Sequence, residues 1–95
     1  RLVLSGGLNR PPMEPTEASL ALFAKARAIG EALGLRLEPG RVGGGSDGNF
    51  TAALGVPTLD GVGLFGGDAH QKTEYVVMPE IPRRTALLAE LLAAL

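Results

Sequence analysis

The chain has 95 residues, a formal net charge of −1 and no cysteine, so it holds one domain at most and has neither disulfides nor thiolate metal ligands. Few aromatic side chains and no basic stripe argue against nucleic acid as a partner. No apolar run approaches the roughly 20 residues needed to cross a bilayer, so we expect a cytoplasmic protein that binds neither nucleic acid nor membrane.

The first part of the chain predicts a strand, a connector and a helix. Residues 1–5 suit a strand, and the prolines within 11–15 predict a stiff connector of the kind that joins domains. Thr16 is a candidate N-cap and Gly34 a candidate stop for the helix between them. Its apolar side is predicted to consist of Leu22, Phe23, Ala26, Ile29 and Leu33.

The second part predicts short elements and a final helix. "LRLE" (35–38) alternates like a strand, "NFTAAL" (49–54) is a short helix, and "VPTLDGVGL" (56–64) is a further strand. A glycine-rich loop follows, and its polar groups cluster where that strand has ended. Four leucines then recur at helical spacing, namely Leu88, Leu91, Leu92 and Leu95. This alternation of elements predicts the α/β class with any site in loops at strand ends.

The glycine loop "RVGGGSDGNFTAALG" (41–55) matches two catalytic patterns. The dinucleotide pattern G-x-G-x-x-G falls on Gly43, Gly45 and Gly48, with Asp60 as the acid after the next strand. The helix that follows is only about six residues long, however, and the carboxylate of Asp47 would lie where an anion should bind. Both features argue against this interpretation.

The same loop matches the nucleophile pattern G-x-S-x-G around Ser46. With Asp60 or Asp68 and then His70, it gives the chain order of a serine hydrolase triad. A strand should come directly before such a serine, whereas "EPGRVGG" intervenes here. A third alternative is that the glycines only form a turn, and that Ser46 or Asp47 caps the short helix.

Several motifs in order resemble one enzyme family. The segment "GGGSDGNFTAALGVPTLDGVGLFGGDAHQKTEYV", followed by "IPRRTALLAELL", is similar to the C-terminal segment of the zinc-dependent aminoacylase, acetylornithine deacetylase and glutamate carboxypeptidase family of metallopeptidases. The resemblance implies an α/β zinc-exopeptidase-like catalytic domain, a mixed sheet with helices on its faces, interrupted by a smaller satellite domain. Residues 1–10 would end the satellite domain, 11–15 would connect the domains, and 16–95 would form the C-terminal part of the catalytic domain.

The resemblance implies a metal role for His70, which matches the histidine of the G-x-x-x-H motif and would be the last zinc ligand. Two zinc ions, or cobalt or manganese in their place, are expected in the whole enzyme, with the other ligands and the general base upstream. Asp68 and Glu74 lie close enough in sequence to orient the imidazole. One imidazole cannot make a zinc site, so the chain alone is expected to be inactive and to hold zinc weakly.

The resemblance also implies a substrate pocket. Arg10 matches an arginine that pairs with the substrate carboxylate, as a planar guanidinium does well. Gly45 would let backbone amides approach the substrate, Ser46 and Asn49 would be polar contacts, and Asp47 would pin the loop and cap the next helix. Substrates would be N-acyl amino acids or small peptides with a free carboxylate, cut by a carboxypeptidase or deacylase that dimerises through its satellite domain. A serine hydrolase using Ser46 and His70, or a regulatory module of the same fold, remains an alternative.

Overall fold

A computed structural model describes all 95 residues as three helices and one very short β-ladder. The elements in chain order are α1 (Glu17–Ala32), α2 (Gly48–Ala53), β1 (Gly66–Gly67), β2 (Tyr75–Val76), a 3₁₀ turn (Met78–Glu80) and α3 (Ile81–Ala93). The chain measures 59 × 36 × 18 Å, and its radius of gyration is 16.2 Å. A compact domain of about 100 residues would have about 13 Å, so the chain is extended for its length.

The two ends of α1 are determined by local signals that the sequence carries. Thr16 Oγ1 accepts a hydrogen bond from the Ser19 amide at 3.2 Å, which confirms Thr16 as the N-cap. Gly34 has φ +74°, and its N–H bonds to the Glu31 carbonyl while the Leu35 N–H bonds to the Gly30 carbonyl at 2.7 Å. This pair of bonds is a Schellman motif, which ends the helix at the predicted glycine.

The small core lies where α1 packs on α3. Ala26 of α1 and Leu87 and Leu91 of α3 are at most 5% exposed. The predicted apolar side of α1 is confirmed, because each of its five residues is buried or half-buried. Arg83 of α3 donates to the Gly34 carbonyl at 3.3 Å and so ties the start of α3 to the end of α1.

The predicted final helix is confirmed as α3, but of its four predicted leucines only Leu91 is buried. Leu88, Leu92 and Leu95 are 46 to 70% exposed, whereas Leu87, which the pattern left out, is 1% exposed. The side of α3 that meets α1 is narrow and follows an i, i+4 spacing. The leucine-rich side next to it is exposed.

Helices and strand pairing occur together, as the α/β prediction requires, but the predicted mixed sheet is not formed. Residues 1–5, 35–38 and 56–64 are not in strands, and the one ladder pairs Gly66 with Val76 and Gly67 with Tyr75, antiparallel. A strand exists only through hydrogen bonds to a second strand, and these three segments pair with none in this chain. The assignment of residues 1–10, 11–15 and 16–95 to two domains and a connector stays a prediction.

Most apolar side chains are not buried. Only 6 of the 95 residues are buried, and Leu2, Val3, Leu4 and Leu8 are 75 to 90% exposed. Apolar burial is the main favourable term in folding, so the free energy of unfolding of this chain alone must be small. None of its helices combines the length and the apolar character that a bilayer span requires.

The helix-ending glycine can be tested by Gly34→Ala. An added Cβ would meet only Arg83 Nη1, at an ordinary 3.6 Å, so the penalty comes from the positive φ. We expect a loss of about 1 kcal/mol in the free energy of unfolding, measured by urea denaturation. Gly40→Ala is the control, because Gly40 has no positive φ and an added Cβ would meet nothing within 4 Å. Equal stability of the two variants would contradict the Schellman assignment.

Candidate functional site

The segment around Arg10 docks onto the glycine loop, although the two are more than thirty residues apart in sequence. The guanidinium carbon of Arg10 lies over the Phe50 ring, 5.1 Å from its centroid. Arg10 Nη2 is 3.9 Å from Asp47 Oδ1, and the Arg10 side chain is 37% exposed. The structure therefore brings together Arg10 and Asp47, which the sequence analysis selected separately, and adds Phe50.

Gly45 provides the space in which Arg10 lies. A Cβ built at Gly45 would be 2.9 Å from Arg10 Cδ and 3.1 Å from Arg10 Nη1, which is too close for the present position of the arginine. The missing side chain at Gly45 thus has a role beyond the predicted close approach of backbone amides to the substrate. It admits the side chain of Arg10 against the loop backbone.

Asn49 joins the glycine loop to the connector. Its Nδ2 donates to the Pro11 carbonyl at 2.8 Å, and its Oδ1 accepts from the Ser46 amide at 3.0 Å. The amide group of one side chain thereby fixes both the backbone directly after Arg10 and the backbone directly before Asp47. It is half-buried, which strengthens both hydrogen bonds relative to solvent-exposed ones.

The expectation that Asp47 caps α2 is wrong. Asp47 occupies the N-cap position, but its side chain makes no capping hydrogen bond and is fully exposed. Ser46 Oγ instead accepts from the Gly48 amide at 3.0 Å and so satisfies one free donor at the start of the helix. The reason is geometric, because Asp47 already has helical backbone angles, whereas a capping side chain comes from an extended residue.

The hydroxyl groups of Ser19, Thr51 and Thr58, which were not among the predicted site residues, form hydrogen bonds next to the glycine loop. Ser19 of α1 accepts from the Thr58 amide at 3.0 Å, and the hydroxyls of Thr51 and Thr58 are 2.9 Å apart. Ser19 is 7% exposed, so α2 and the segment after it are anchored on α1 by a nearly buried hydrogen bond. Such long-range contacts leave no periodic signal in a sequence.

His70 lies in the loop that connects β1 to β2. It has φ +65° and Asp68 has φ +56°, and these are the two non-glycine residues of the chain with positive φ. The Gln71 amide donates to the Asp68 carbonyl, and the Glu74 amide donates to the Gln71 carbonyl, both at 3.1 Å. Backbone conformations of this kind cost free energy and concentrate at functional sites, which favours a functional role for this loop.

The residues of this chain do not make a metal site by themselves. Asp68, His70 and Glu74 are exposed neighbours in one loop, and no group of three or more His, Asp or Glu side chains is arranged to hold a metal ion. Their predicted roles as ligand and orienting groups stay predictions. No hydrogen bond joins Ser46 Oγ to His70 either; the Ser46 hydroxyl accepts from the Gly48 amide instead.

Comparisons with known proteins point to the same kind of enzyme family as the sequence motifs. The family model described as "Peptidase family M20/M25/M40" matches residues 5–94. The chain is 38% identical over 87 residues to a protein named "Carboxypeptidase G2" from Pseudomonas sp. (strain RS-16). That match covers 88% of the chain and 21% of the relative, so the chain spans about a fifth of the relative's length. No solved structure matches the chain.

The bridging role of Asn49 can be separated into its two halves. Asn49→Ala removes both hydrogen bonds, and we expect the Ser46 amide to exchange with solvent about fivefold faster, as for the loss of one hydrogen bond. Asn49→Asp keeps the acceptor for Ser46 but loses the donor to Pro11. Slow exchange at Ser46 should therefore persist in this variant, while the NMR shifts of the Arg10 and Met13 amides move in both. Unchanged Ser46 exchange in Asn49→Ala would contradict the bridge.

Proposed function

The chain belongs to the M20/M25/M40 peptidase family, and we propose that the protein containing it hydrolyses the amide bond of N-acyl amino acids or small peptides that carry a free carboxylate. The observation that carries this proposal is the placement of Arg10. Its guanidinium is fixed against the glycine loop by Gly45 and Phe50, while its N–H groups make no hydrogen bond within the chain. Those donors are available to an incoming carboxylate.

The one carboxylate near Arg10 does not prevent an anionic ligand from binding there. Asp47 Oδ1 is the one carboxylate oxygen within 4 Å of the guanidinium, and its side chain is fully exposed. An exposed ion pair at 3.9 Å contributes little and is screened by salt. A substrate carboxylate in bidentate contact with Arg10 would form shorter, stronger hydrogen bonds. Asp47 therefore does not block the site.

The glycine loop would form the pocket wall next to this carboxylate. Ser46 and Asn49 use their side chains to hold the loop, but Ser46 Oγ and Asn49 Oδ1 keep further acceptor capacity for a substrate amide. We propose that these residues line the pocket and that Ser46 is not a nucleophile. The backbone at Gly45, which bears no side chain, leaves room for close approach of the substrate.

We propose that His70 is the contribution of this chain to a metal site completed by other parts of the protein. Two zinc ions, or cobalt or manganese, would supply Lewis acidity toward the scissile carbonyl. His70 would donate a neutral imidazole nitrogen, and Asp68 or Glu74 would fix its tautomer. The rest of the protein and a second copy, joined through the satellite domain, are the further partners that we propose.

Two variants of the full-length protein test this proposal. His70→Ala should reduce zinc content, measured by mass spectrometry of the metal, and lower kcat/KM at least about tenfold, since even residues that only support metal ligands cost about 10- to 100-fold. Gln71→Ala, which changes the next exposed residue, is the control. Ser46→Ala should change kcat less than about tenfold, whereas a serine hydrolase would lose several orders of magnitude. Full zinc content in His70→Ala, or collapse in Ser46→Ala, would overturn the proposal.

The role of Arg10 can be tested by Arg10→Lys in the full-length protein. Lysine keeps the charge but loses the bidentate geometry, so KM for a carboxylate substrate should rise roughly tenfold. The carboxamide of the same substrate, which lacks the negative charge, should show no such change. Arg41→Lys, at an exposed arginine before the loop, is the control. Equal KM values for Arg10→Lys and the unaltered protein would place Arg10 outside the site.

A further inference from the structure

Phe50 and Gly45 form a cradle for the Arg10 side chain, and we propose that both are positioning residues that orient its guanidinium and thereby determine the preference for a free carboxylate. The inference rests on the proposed function and deepens it. In this proposal the ring of Phe50 and the space left by Gly45 together determine how Arg10 is oriented. The three residues come from the segment before the connector, the glycine loop and α2.

Phe50 contacts the positively charged guanidinium of Arg10 without occupying the hydrogen-bond donors of that guanidinium. The guanidinium carbon lies 5.1 Å from the ring centroid, within the range of about 6 Å for attraction between a cation and an aromatic face. An aromatic face accepts no conventional hydrogen bond from the five N–H groups of the guanidinium. The contact therefore fixes Arg10 and leaves its hydrogen-bonding capacity for a ligand.

Gly45 limits where the aliphatic part of Arg10 can lie. The three nearest heavy atoms to a Cβ at this position are Cδ, Nη1 and Nε of Arg10, at 2.9 to 3.4 Å. A methyl group at Gly45 would therefore displace the Arg10 side chain before any other group. The glycine is needed at this point for the arginine, since its φ is not in the positive range that favours glycine.

Asp47 does not determine the orientation. Its carboxylate is fully exposed and its nearest approach to Arg10 is 3.9 Å, so solvent and salt weaken the pair. Asn49 acts on the neighbouring backbone through the Pro11 carbonyl and reaches no atom of the guanidinium. The guanidinium lies on the Phe50 ring, and the side chain of Arg10 occupies the space beside Gly45.

The position of Arg10 can be read without any activity, from the Nε–H signals of ¹⁵N-arginine in the full-length protein. Arg10→Lys identifies the signal by its loss. Phe50→Leu removes the ring and Gly45→Ala removes the space, so each should shift the Arg10 signal and no other arginine signal. Phe50→Tyr keeps a ring and should leave it near its original position. Phe65→Leu and Gly7→Ala are controls, at an exposed aromatic residue and at a glycine whose Cβ would meet nothing within 4 Å.

Kinetics then connect this position to recognition. In Phe50→Leu and Gly45→Ala we expect KM for a carboxylate substrate to rise about threefold to tenfold with kcat nearly unchanged, and Phe50→Tyr to restore it. The carboxamide should be unaffected by Phe50→Leu, because Phe50 acts only through Arg10. An Arg10 signal that stays in place in both variants overturns the cradle. If the Arg10 signal shifts in Phe50→Leu and Gly45→Ala but KM stays unchanged, while Arg10→Lys raises KM, the cradle has no role in recognition.

The two proposals fail in different ways. If no N-acyl amino acid or peptide is hydrolysed by the full-length protein, the proposed function is wrong and the cradle has no part in recognising a substrate carboxylate. The arginine signals would still establish whether Phe50 and Gly45 hold the guanidinium. If hydrolysis depends on Arg10 but not on Phe50 or Gly45, the proposed function stands and the cradle is wrong.

Discussion

The arrangement of the site depends on the side-chain amide of Asn49. It bonds to the Pro11 carbonyl at 2.8 Å and to the Ser46 amide at 3.0 Å, and so joins two segments that are 38 residues apart. Without it, no side-chain hydrogen bond would tie the connector to the glycine loop. The contacts of Arg10 with Gly45 and Phe50 depend on this bridge, because it holds the carbonyl of Pro11, the residue directly after Arg10.

The helices could be predicted from the sequence because their signals are local. Thr16 and Gly34 bound α1 through hydrogen bonds within a few residues, and the five apolar positions of α1 all point to one side. Strands at 1–5, 35–38 and 56–64 could not be assigned reliably, since a strand requires a partner that local patterning does not supply. For the same reason Leu87, and not the more regular leucine stripe, lies in the contact between α1 and α3.

Part of the candidate site could also be predicted. The family motifs selected Arg10, the glycine loop and His70, and the structure unites the first two, whereas His70 lies in the β1–β2 loop. Phe50, Ser19 and Thr58 were missed because each acts through contacts with distant segments. The capping role of Asp47 was misassigned, since serine and aspartate are equally suited to it by residue type and only backbone angles decide between them.

The central claim is that Arg10 lies against Gly45 and Phe50 with its donors free. The most direct measurement is the set of nuclear Overhauser effects between the Arg10 Hδ protons and the Gly45 Hα and Phe50 ring protons in the full-length protein. The account predicts that all three groups are close enough for cross-peaks to be observed. Their absence, with the Arg10 side chain showing the motion of a solvated arginine, would contradict it.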